Sequence, residues 1–308
     1  MIYLAVSIDV EPDCTPTWHY SNPLTFEGVR VGIKERLQPL FNKYGVVPTY
    51  LINNVVLEDV NSVNVFKTLE GQFELGTHLH PEFIEPQKTV FDYAGSKGEA
   101  NCCFYPPEIE REKILNITKL FEDRFGYKPE SFRAGRFSAG INTFQTLQEL
   151  GYKVDTSVTP HLCWNDGTRQ QPVDYRTKSE QPFFIGPTLL EVPITIVNSF
   201  AFNLKGNIRN VLNGKPLSFS QSIWLRPVCS SYEKLQTLLY YMVRSNSQQT
   251  DIVLNMMFHN VEVLPSLSPY TQSENDCEEY LYTLERFFEL CISKQISFSS
   301  LSGIYDRW

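Results

Sequence analysis

The sequence predicts an α/β fold in which one domain, residues 1–308, wraps a mostly parallel sheet into a (β/α) barrel. Short apolar segments with strand character alternate with amphipathic helical segments at the spacing of βαβ units. Polar side chains follow several predicted strands at their carboxyl ends, where parallel barrels carry their functional sites. The length of 308 residues and the 42% hydrophobic content allow a substantial core.

The predicted elements follow one another along the whole chain. Residues 2–7 form an apolar run that predicts a buried strand. Residues 31–44 have helical spacing, Gly45 ends that helix, and residues 46–53 form the next strand. An apolar helix face at 63–69 precedes further strands predicted over 73–77, 131–132, 153–157, 189–193, 252–258 and 296–300, with helices over 109–125, 142–150, 232–245 and 278–293. Two segments rich in Pro, Gly, Asn and Gln are expected to be long loops on the site face: 84–107 and 159–187.

The distribution of polar residues favours a closed barrel over an open, doubly wound sheet. In a barrel, the carboxyl ends of all strands converge on one face. In an open sheet, strands about 4.8 Å apart would spread the same residues over more than about 20 Å. The polar residues at or just after predicted strand ends are Asp9, Glu11, His78, His80, Arg133, Asp155 and His259.

Composition and charge argue against several classes of protein. The formal charge of −8, from 27 Lys and Arg against 35 Asp and Glu, is spread along the chain, so no surface for nucleic acid or anionic lipid is indicated. No apolar stretch approaches the length of a membrane span. The seven cysteines lack CxxC spacing, so we expect reduced thiols. The N-terminal apolar run is too short for a signal peptide and lacks a basic region, which predicts a cytoplasmic protein.

Two histidines and two carboxylates indicate a site for a divalent metal ion. His78 and His80 lie at positions i and i+2, so both rings point at one ion if the strand persists, and a turn at Pro81 is another route to the same arrangement. An isolated His-x-His pair can equally be a hydrogen-bonded loop feature. Asp9 and Glu11, after a neighbouring strand, strengthen the metal hypothesis, although Asp-x-Glu is also frequent at turns and helix caps.

These motifs, in this order, resemble those of the polysaccharide deacetylases, carbohydrate esterase family 4, over roughly residues 3–160 and 224–305. The resemblance implies a distorted barrel of seven or eight strands. In the first motif, Ser-Ile-Asp-Val-Glu, it implies that Asp9 is the catalytic base and Glu11 a metal ligand.

The second motif is shortened relative to the family pattern. The family carries its two histidine ligands as His-x-x-x-His, whereas this chain has His78 and His80 in Gly-Thr-His-Leu-His-Pro. The resemblance implies that both are metal ligands. Glu82, four residues after His78, is the alternative to His80.

The remaining motifs imply three further catalytic residues. Arg133, in Phe-Arg-Ala-Gly-Arg-Phe, resembles the arginine that orients the base, and a guanidinium beside Asp9 would keep it ionised. Asp155 matches the fourth motif without its usual Asp-Trp, which Trp164 could replace. His259 ends an apolar strand, as the family's general acid does, although a structural imidazole is the plain alternative.

The resemblance implies a metal-dependent hydrolase that removes an N-acetyl or related acyl group from a sugar. One divalent ion would activate water and hold the oxyanion, with zinc the first expectation and cobalt, nickel or iron the others. The substrate would be a free, nucleotide-linked or lipid-linked acetylated sugar, and the sequence does not indicate the oligomeric state. The alternatives are a metal-independent cyclic amide or imide hydrolase of the same superfamily and a glycan-binding protein without activity.

Several other residues are assigned more loosely. Motifs resembling a subgroup linked to bacterial surface-polysaccharide synthesis are Trp224-Leu-Arg226-Pro and Asn260-Val-Glu262. Residues that could line a sugar cleft, or equally pack within loops, are Trp18, His19, His161 and Trp164. Residues expected in the core are Met256, Met257, Phe287 and Phe288.

Overall fold

The computed structural model describes residues 1–89, 99–164, 173–198, 222–227 and 232–308. The predicted loops 84–107 and 159–187 therefore lie partly outside the described residues. The strands are β1 Ile2–Val10, β2 Thr49–Asn53, β3 Glu74–Leu79, β4 Ser131–Ala134, β5 Val154–Asp155, β6 Cys163–Trp164, β7 Val173–Asp174, β8 Phe183–Ile185, β9 Leu189–Glu191, β10 Ile196–Asn198, β11 Ser222–Trp224, β12 Ile252–His259 and β13 Ser297–Phe298.

The helices are bounded by residues that satisfy their free backbone groups. They are α1 Gln38–Tyr44, α2 Asn54–Glu58, α3 Val60–Thr68, α4 Pro107–Phe125, α5 Ile141–Leu150, α6 Tyr232–Ser245, α7 Glu274–Ser293 and α8 Leu301–Tyr305. The side chains of Asn53 and Asp59 accept backbone N–H groups at the starts of α2 and α3. Gly126 and Gly151 end α4 and α5 with φ angles of 81° and 85°, which glycine adopts without steric cost.

A nine-stranded sheet organises the described residues. Its order is β12, β1, β2, β3, β4, β5, β9, β8, and β13 pairs with the start of β1. Neighbours from β12 to β9 are parallel, whereas β8 and β9 are antiparallel. Because parallel strands need crossover connections, the helices cover the outer face of the sheet and hold the strand ends in register.

The sheet curls so that its two sides approach each other between β9 and β12. Thr195, just after β9, donates its backbone N–H to the carbonyl of Asn255 in β12 at 3.1 Å. Leu225 donates to Thr195 at 2.8 Å and accepts from Met257 at 3.2 Å, so it bridges the same gap. The prediction of a distorted (β/α) barrel is therefore confirmed. The barrel is distorted because a few separate backbone hydrogen bonds, and not a continuous strand pairing, join its two sides.

Most buried apolar side chains of the described residues lie in two large clusters. The main core lies between the sheet and the helices and includes Met256, Phe287 and Phe288, as predicted. Met257 is also buried, within a smaller cluster. A second core fills the end of the barrel opposite the polar strand ends, with the short helix α8 among its members: Tyr3, Ala5, Leu51, Val154, Leu190, Val192, Val253, Leu301 and Ile304.

The element boundaries differ from the prediction in three respects. β1 and β3 extend to Val10 and Leu79, so that Asp9 and His78 lie within strands rather than after them. The helix predicted over 31–44 begins as a π-helix, Gly28–Leu37, whose first backbone N–H groups are held by Asp13. Part of the loop predicted over 159–187 forms the paired strands β6 and β7 and the strand β8, which alternation of polarity did not reveal because they are short.

Candidate active site

Alternation along β1 places the first functional side chains inside the barrel. Leu4, Val6, Ile8 and Val10 pack in the main core. Because successive strand side chains point to opposite faces, Asp9 faces the barrel interior instead. The carboxyl ends of β1, β3, β4 and β12 therefore bring their polar residues to one place.

Three ligand-type atoms converge at the end of β1 and β3. The Oε1 atom of Glu11 lies 3.1 Å from Nε2 of His78 and 3.0 Å from Nε2 of His80. The two Nε2 atoms are 3.1 Å apart. All three residues are buried, and their ligand atoms lie within 4.8 Å of one another. This spacing suits three donors that share one cation.

The hydrogen bonding of His78 shows which of its ring nitrogens presents a lone pair to the cluster. Its Nδ1 lies 3.1 Å from the backbone carbonyl of Arg133, which can only accept a hydrogen bond. Nδ1 therefore carries the proton, and in the neutral ring Nε2 presents a lone pair to the cluster. A backbone carbonyl on the outer nitrogen is the usual arrangement for a metal-binding histidine.

The structure also distinguishes the positions of His80 and Glu82. Nε2 of His80 belongs to the converging atoms, whereas Glu82 Oε1 lies 3.7 Å from the outer nitrogen, Nδ1, of His80. Glu82 is 1% exposed, so a buried carboxylate stands behind the imidazole. The geometry favours His80 over Glu82 as the third donor.

The charges of this cluster perturb one another. Burial raises the pKa of Glu11, but His80 and His78 outweigh it, and the pKa lies well below its ordinary value. Burial lowers the pKa of His80, but the charge and hydrogen bond of Glu11 raise it to about 10. Tyr20 donates a hydrogen bond of 3.1 Å to the other oxygen of Glu11 and so fixes the plane of this carboxylate.

Asp9 is held by a buried guanidinium. Arg133, fully buried, donates from Nη1 to Asp9 Oδ1 and from Nη2 to the hydroxyl of Ser7 at 2.6 Å. Burial raises the pKa of Asp9, but Arg133, with His78 and His259, lowers it below its ordinary value. The free oxygen, Oδ2, lies 3.8 Å from His78 Nε2 and 3.9 Å from His259 Nε2, so it faces the centre of the cluster.

His259 approaches the cluster from β12 and is oriented by a carboxylate. Its Nε2 lies 3.8 Å from Glu11 Oε1, and its Nδ1 lies 2.9 Å from Oε1 of Glu262. Glu262 is fully buried and is bonded by Arg226, by the backbone of His259 and by the hydroxyl of Tyr280 at 2.9 Å. Burial raises the pKa of Glu262, but Arg226 and His259 lower it to about 2, so it is an anion beside the imidazole.

Asp155 lies behind Arg133 rather than among the converging atoms. It accepts hydrogen bonds from the backbone and the hydroxyl of Ser157, at 3.0 and 2.8 Å, and is paired with Glu191 on the neighbouring strand. Burial raises the pKa of both carboxyl groups, and the charge of Arg133 lowers it in each. The pKa of each carboxyl group therefore lies above its ordinary value, even beside the guanidinium, and the charge of Asp155 adds to the rise in Glu191.

Of the residues that were expected to line a cleft or pack within loops, the two tryptophans pack on other rings and the two histidines bond polar groups outside the cluster. Trp18 lies over His259, with 4.8 Å between ring centroids, and Trp164 stacks on Phe137 at 5.8 Å. His19 is exposed and bonds Thr17. His161 lies outside the cluster, where its Nε2 is 2.7 Å from a carboxylate oxygen of Glu180.

Sequence reasoning assigned no role to four supporting residues. Glu262 and Arg226 were noted only as part of a resemblance, and the i, i+3 spacing of Glu262 from His259 was the available signal. Tyr20 and Glu191 had no signal, because Tyr20 reaches Glu11 through an irregular turn and Glu191 meets Asp155 from another strand.

Fold and site together define a class, a distorted (β/α) barrel that gathers acid and imidazole side chains at its strand ends. A Mycobacterium smegmatis protein assigned as a polysaccharide deacetylase has this fold, with a TM-score of 0.56 and 13% identity over 99% of this chain and 89% of that one. One from Pseudomonas aeruginosa PAO1 with the same assignment gives 0.57 and 14% over 100% and 90%. Puue Allantoinase gives 0.59 and 14% over 100% and 90%.

At these identities the likeness shows the fold alone. No family model matches the sequence, and no curated protein matches it. No helix within the described residues is long and apolar enough to cross a membrane.

Proposed function

We propose that the protein is a metal-dependent hydrolase that removes an N-acetyl or related acyl group from a sugar. The observation that carries the proposal is the convergence of Glu11 Oε1, His78 Nε2 and His80 Nε2 within 3.1 Å of one another. A catalytic zinc ion is usually bound by three such protein donors, and its fourth position stays open for water or substrate.

The residues present fit a divalent cation. A carboxylate and two imidazoles suit zinc, and the same set accepts cobalt, nickel or iron. Burial lowers the pKa of His80, but the stronger effect of Glu11 raises it to about 10, so the negative charge at this position favours a cation. A bound cation would polarise the acyl carbonyl and make the attacking water more acidic.

Asp9 is the proposed general base. Its Oδ1 is bonded to Arg133, and its Oδ2 faces the converging atoms, so Oδ2 can take the proton of an attacking water. The guanidinium keeps the carboxylate ionised and fixes its direction. Asp155 acts through Arg133, because it lies outside the three converging donors and the charge of the guanidinium opposes the rise that burial causes in its pKa.

His259 is the proposed general acid. Its Nδ1 lies 2.9 Å from Glu262 Oε1, to which the charged ring would donate, and its Nε2 is directed at the cluster. From there a proton on Nε2 can pass to the departing nitrogen as the acyl C–N bond breaks. Glu262 stabilises the charged ring, as the carboxylate of a catalytic triad does.

The class of substrate is supported by the fold. Two of the solved structures with this barrel are assigned as polysaccharide deacetylases. We propose a cytoplasmic enzyme that acts on a free, nucleotide-linked or lipid-linked acetylated sugar in the synthesis of a bacterial surface polysaccharide. Cell fractionation tests the cytoplasmic location. Measurement of the acetate released from each type of acetylated sugar tests the substrate.

The test of the chemistry combines metal analysis with one substitution. We expect about one zinc, cobalt, nickel or iron atom per chain in protein purified without added metal. Asp9→Asn should lower kcat by roughly 10²- to 10⁴-fold with little change in KM, because only proton transfer is removed. Unchanged metal content and circular dichroism provide the control. An Asp9→Asn protein as active as wild type would contradict the assignment.

A second candidate is a metal-independent hydrolase of cyclic amides, and the fold of Puue Allantoinase favours it. Metal content separates the two functions. Activity on a cyclic amide that survives complete removal of metal would establish the second candidate and exclude the first.

A further inference from the structure

Two aromatic side chains form a surface beside His259, which we name the aromatic shelf: Trp18 and Tyr270. The ring of Trp18 lies 4.8 Å from the imidazole of His259, tilted by 49°, and 6.0 Å from the ring of Tyr270. Trp18 is 37% exposed and Tyr270 is 36% exposed. The shelf therefore presents apolar ring area to solvent directly next to the proposed general acid.

The backbone holds Trp18 in this position at a conformational cost. Its φ angle is 59°, in the left-handed region that a non-glycine residue seldom adopts. The turn is closed by a hydrogen bond of 3.0 Å from the Trp18 N–H to the carbonyl of Thr15, and by one of 2.7 Å from Thr15 to His19. Cys14 and Tyr20 pair across the base of this turn.

Tyr270 is fixed from below by the group that supports His259. The guanidinium of Arg226 lies 4.7 Å from the centre of the Tyr270 ring and is also bonded to Glu262. One arginine thus contacts both Tyr270 and the carboxylate that orients the imidazole. The position of Tyr270 is therefore tied to that of His259, and Trp18 packs between their rings.

We propose that the aromatic shelf binds the pyranose ring that carries the acylated nitrogen, with the ring's CH groups on Trp18. This inference rests on the proposed function. His259 must reach the departing nitrogen. That nitrogen is bonded to a carbon of the sugar ring or of the ring's exocyclic arm, so the sugar lies on the His259 side of the site. The acyl carbonyl then points towards Glu11, His78 and His80, and the exposed indole meets the apolar face of the sugar.

A second aromatic group lies beside the proposed base and is the competing position for the sugar. Phe137 and Trp164 are stacked with 5.8 Å between centroids, and Trp224 meets Phe137 at 5.6 Å. Phe137 lies 6.0 Å from the guanidinium of Arg133, beside the proposed base. The departing nitrogen and the sugar bonded to it lie beside His259. Phe137 and Trp164 would therefore contact only parts of the substrate that lie farther from the acyl C–N bond.

The experiment compares two acetamides that differ in the ring. N-acetylglucosamine carries the pyranose, and N-acetylethanolamine carries the same acetamide without it. In Trp18→Ala, we expect KM for N-acetylglucosamine to rise about three- to tenfold and KM for N-acetylethanolamine to stay unchanged, since an aromatic contact of this kind is worth a factor of that size. Trp18→Phe should restore most of the binding. Trp308→Ala is the matched control, because Trp308 is equally exposed, at 40%, and lies at the C-terminal end of the chain after α8.

A binding measurement separates failure of the shelf from failure of the proposed function. If metal-loaded wild type hydrolyses neither acetamide, the proposed function fails for these substrates, and saturation-transfer NMR with N-acetylglucosamine and chitotriose still tests the shelf. Sugar signals that disappear in Trp18→Ala and persist in Trp308→Ala support it. Equal rises in KM for both acetamides, sugar binding lost in Trp164→Ala but kept in Trp18→Ala, or no sugar binding to wild type would each overturn it.

Discussion

At the scale of single residues, the direction of the His78 ring decides what the cluster can hold. Its Nδ1 is occupied by the Arg133 carbonyl, so only the Nε2 lone pair is available to the centre. Glu82 lies in the corresponding place for His80, with Oε1 3.7 Å from the outer nitrogen, and a carboxylate there raises the basicity of the opposite nitrogen.

We predict that His80 and Glu82 contribute to metal affinity by different amounts. His80→Gln should abolish stoichiometric zinc binding, because one of three donors is lost. Glu82→Gln should weaken binding by only about 10- to 100-fold, the usual effect of changing a ligand's hydrogen-bond partner. Zinc affinity measured by competition with a chelator tests both. A larger loss in Glu82→Gln than in His80→Gln would reverse their roles.

A second residue-scale prediction concerns the carboxylate behind His259. Glu262→Gln should lower kcat by roughly 10- to 100-fold with KM and zinc content nearly unchanged, because the imidazole loses the anion that orients it and stabilises its proton. Glu262→Asp should recover part of the rate. Glu279→Gln, an exposed change on α7, is the control. Loss of zinc together with activity would mean that Glu262 supports the metal cluster instead.

At the scale of elements, α4 secures the segment that follows β3. Lys113, buried in α4, donates from Nζ to the backbone carbonyls of Pro81 and Ile84, each at 2.7 Å. These bonds hold the short turn after His80, so the direction of that imidazole depends on a helix more than thirty residues further along the chain. Burial lowers the pKa of Lys113 to about 8.

The contact between α4 and α5 contains a carboxyl group that titrates in an unusual range. Glu110 of α4 accepts a hydrogen bond from the hydroxyl of Thr143 in α5, and burial raises its pKa from 4.5 to about 7. Between pH 4.5 and pH 7, the Glu110 carboxyl group loses its proton in the unfolded chain but keeps it in the folded chain. Folding stability therefore falls as pH rises through this window and levels off above it.

We predict that Glu110→Gln removes this pH dependence. In wild type, the group should lower the free energy of unfolding by up to about 3 kcal/mol between pH 4.5 and pH 7. Urea denaturation at pH 5 and pH 8 should show a smaller loss of stability in Glu110→Gln than in wild type. Glu108→Gln, exposed in the same helix turn, is the control. Equal pH dependence in Glu110→Gln and wild type would refute the prediction.

At the scale of the whole molecule, contacts between distant parts of the chain hold the site together. β1 pairs with β12 along eight residues, which places Asp9 opposite His259. β3 pairs with β4, which places His78 opposite Arg133. The site therefore joins four strands of the barrel, and a ligand that binds residues from several of them stabilises the folded chain as a whole.

We predict that zinc raises the stability of the entire chain. At a free zinc concentration of 100 times the dissociation constant, the free energy of unfolding should increase by about 2.7 kcal/mol, provided that zinc binds only the folded state. Thermal unfolding at increasing zinc concentrations should show a rising Tm in wild type. The His80→Gln protein should show no rise, and a similar rise in both would indicate binding elsewhere.

Local patterns in the sequence predict the alternation of strands and helices, the barrel and the polar residues at its strand ends, because buried periodicity is a local property of the chain. The roles proposed for those polar residues rest on the resemblance to a known family. The sequence left open whether His80 or Glu82 faces the centre, and it did not reveal the contacts of Tyr20, Glu191 and Glu262. Only the tertiary structure decided these points. Side-chain direction depends on partners from distant strands, such as the carbonyl behind His78, and no local pattern encodes those partners.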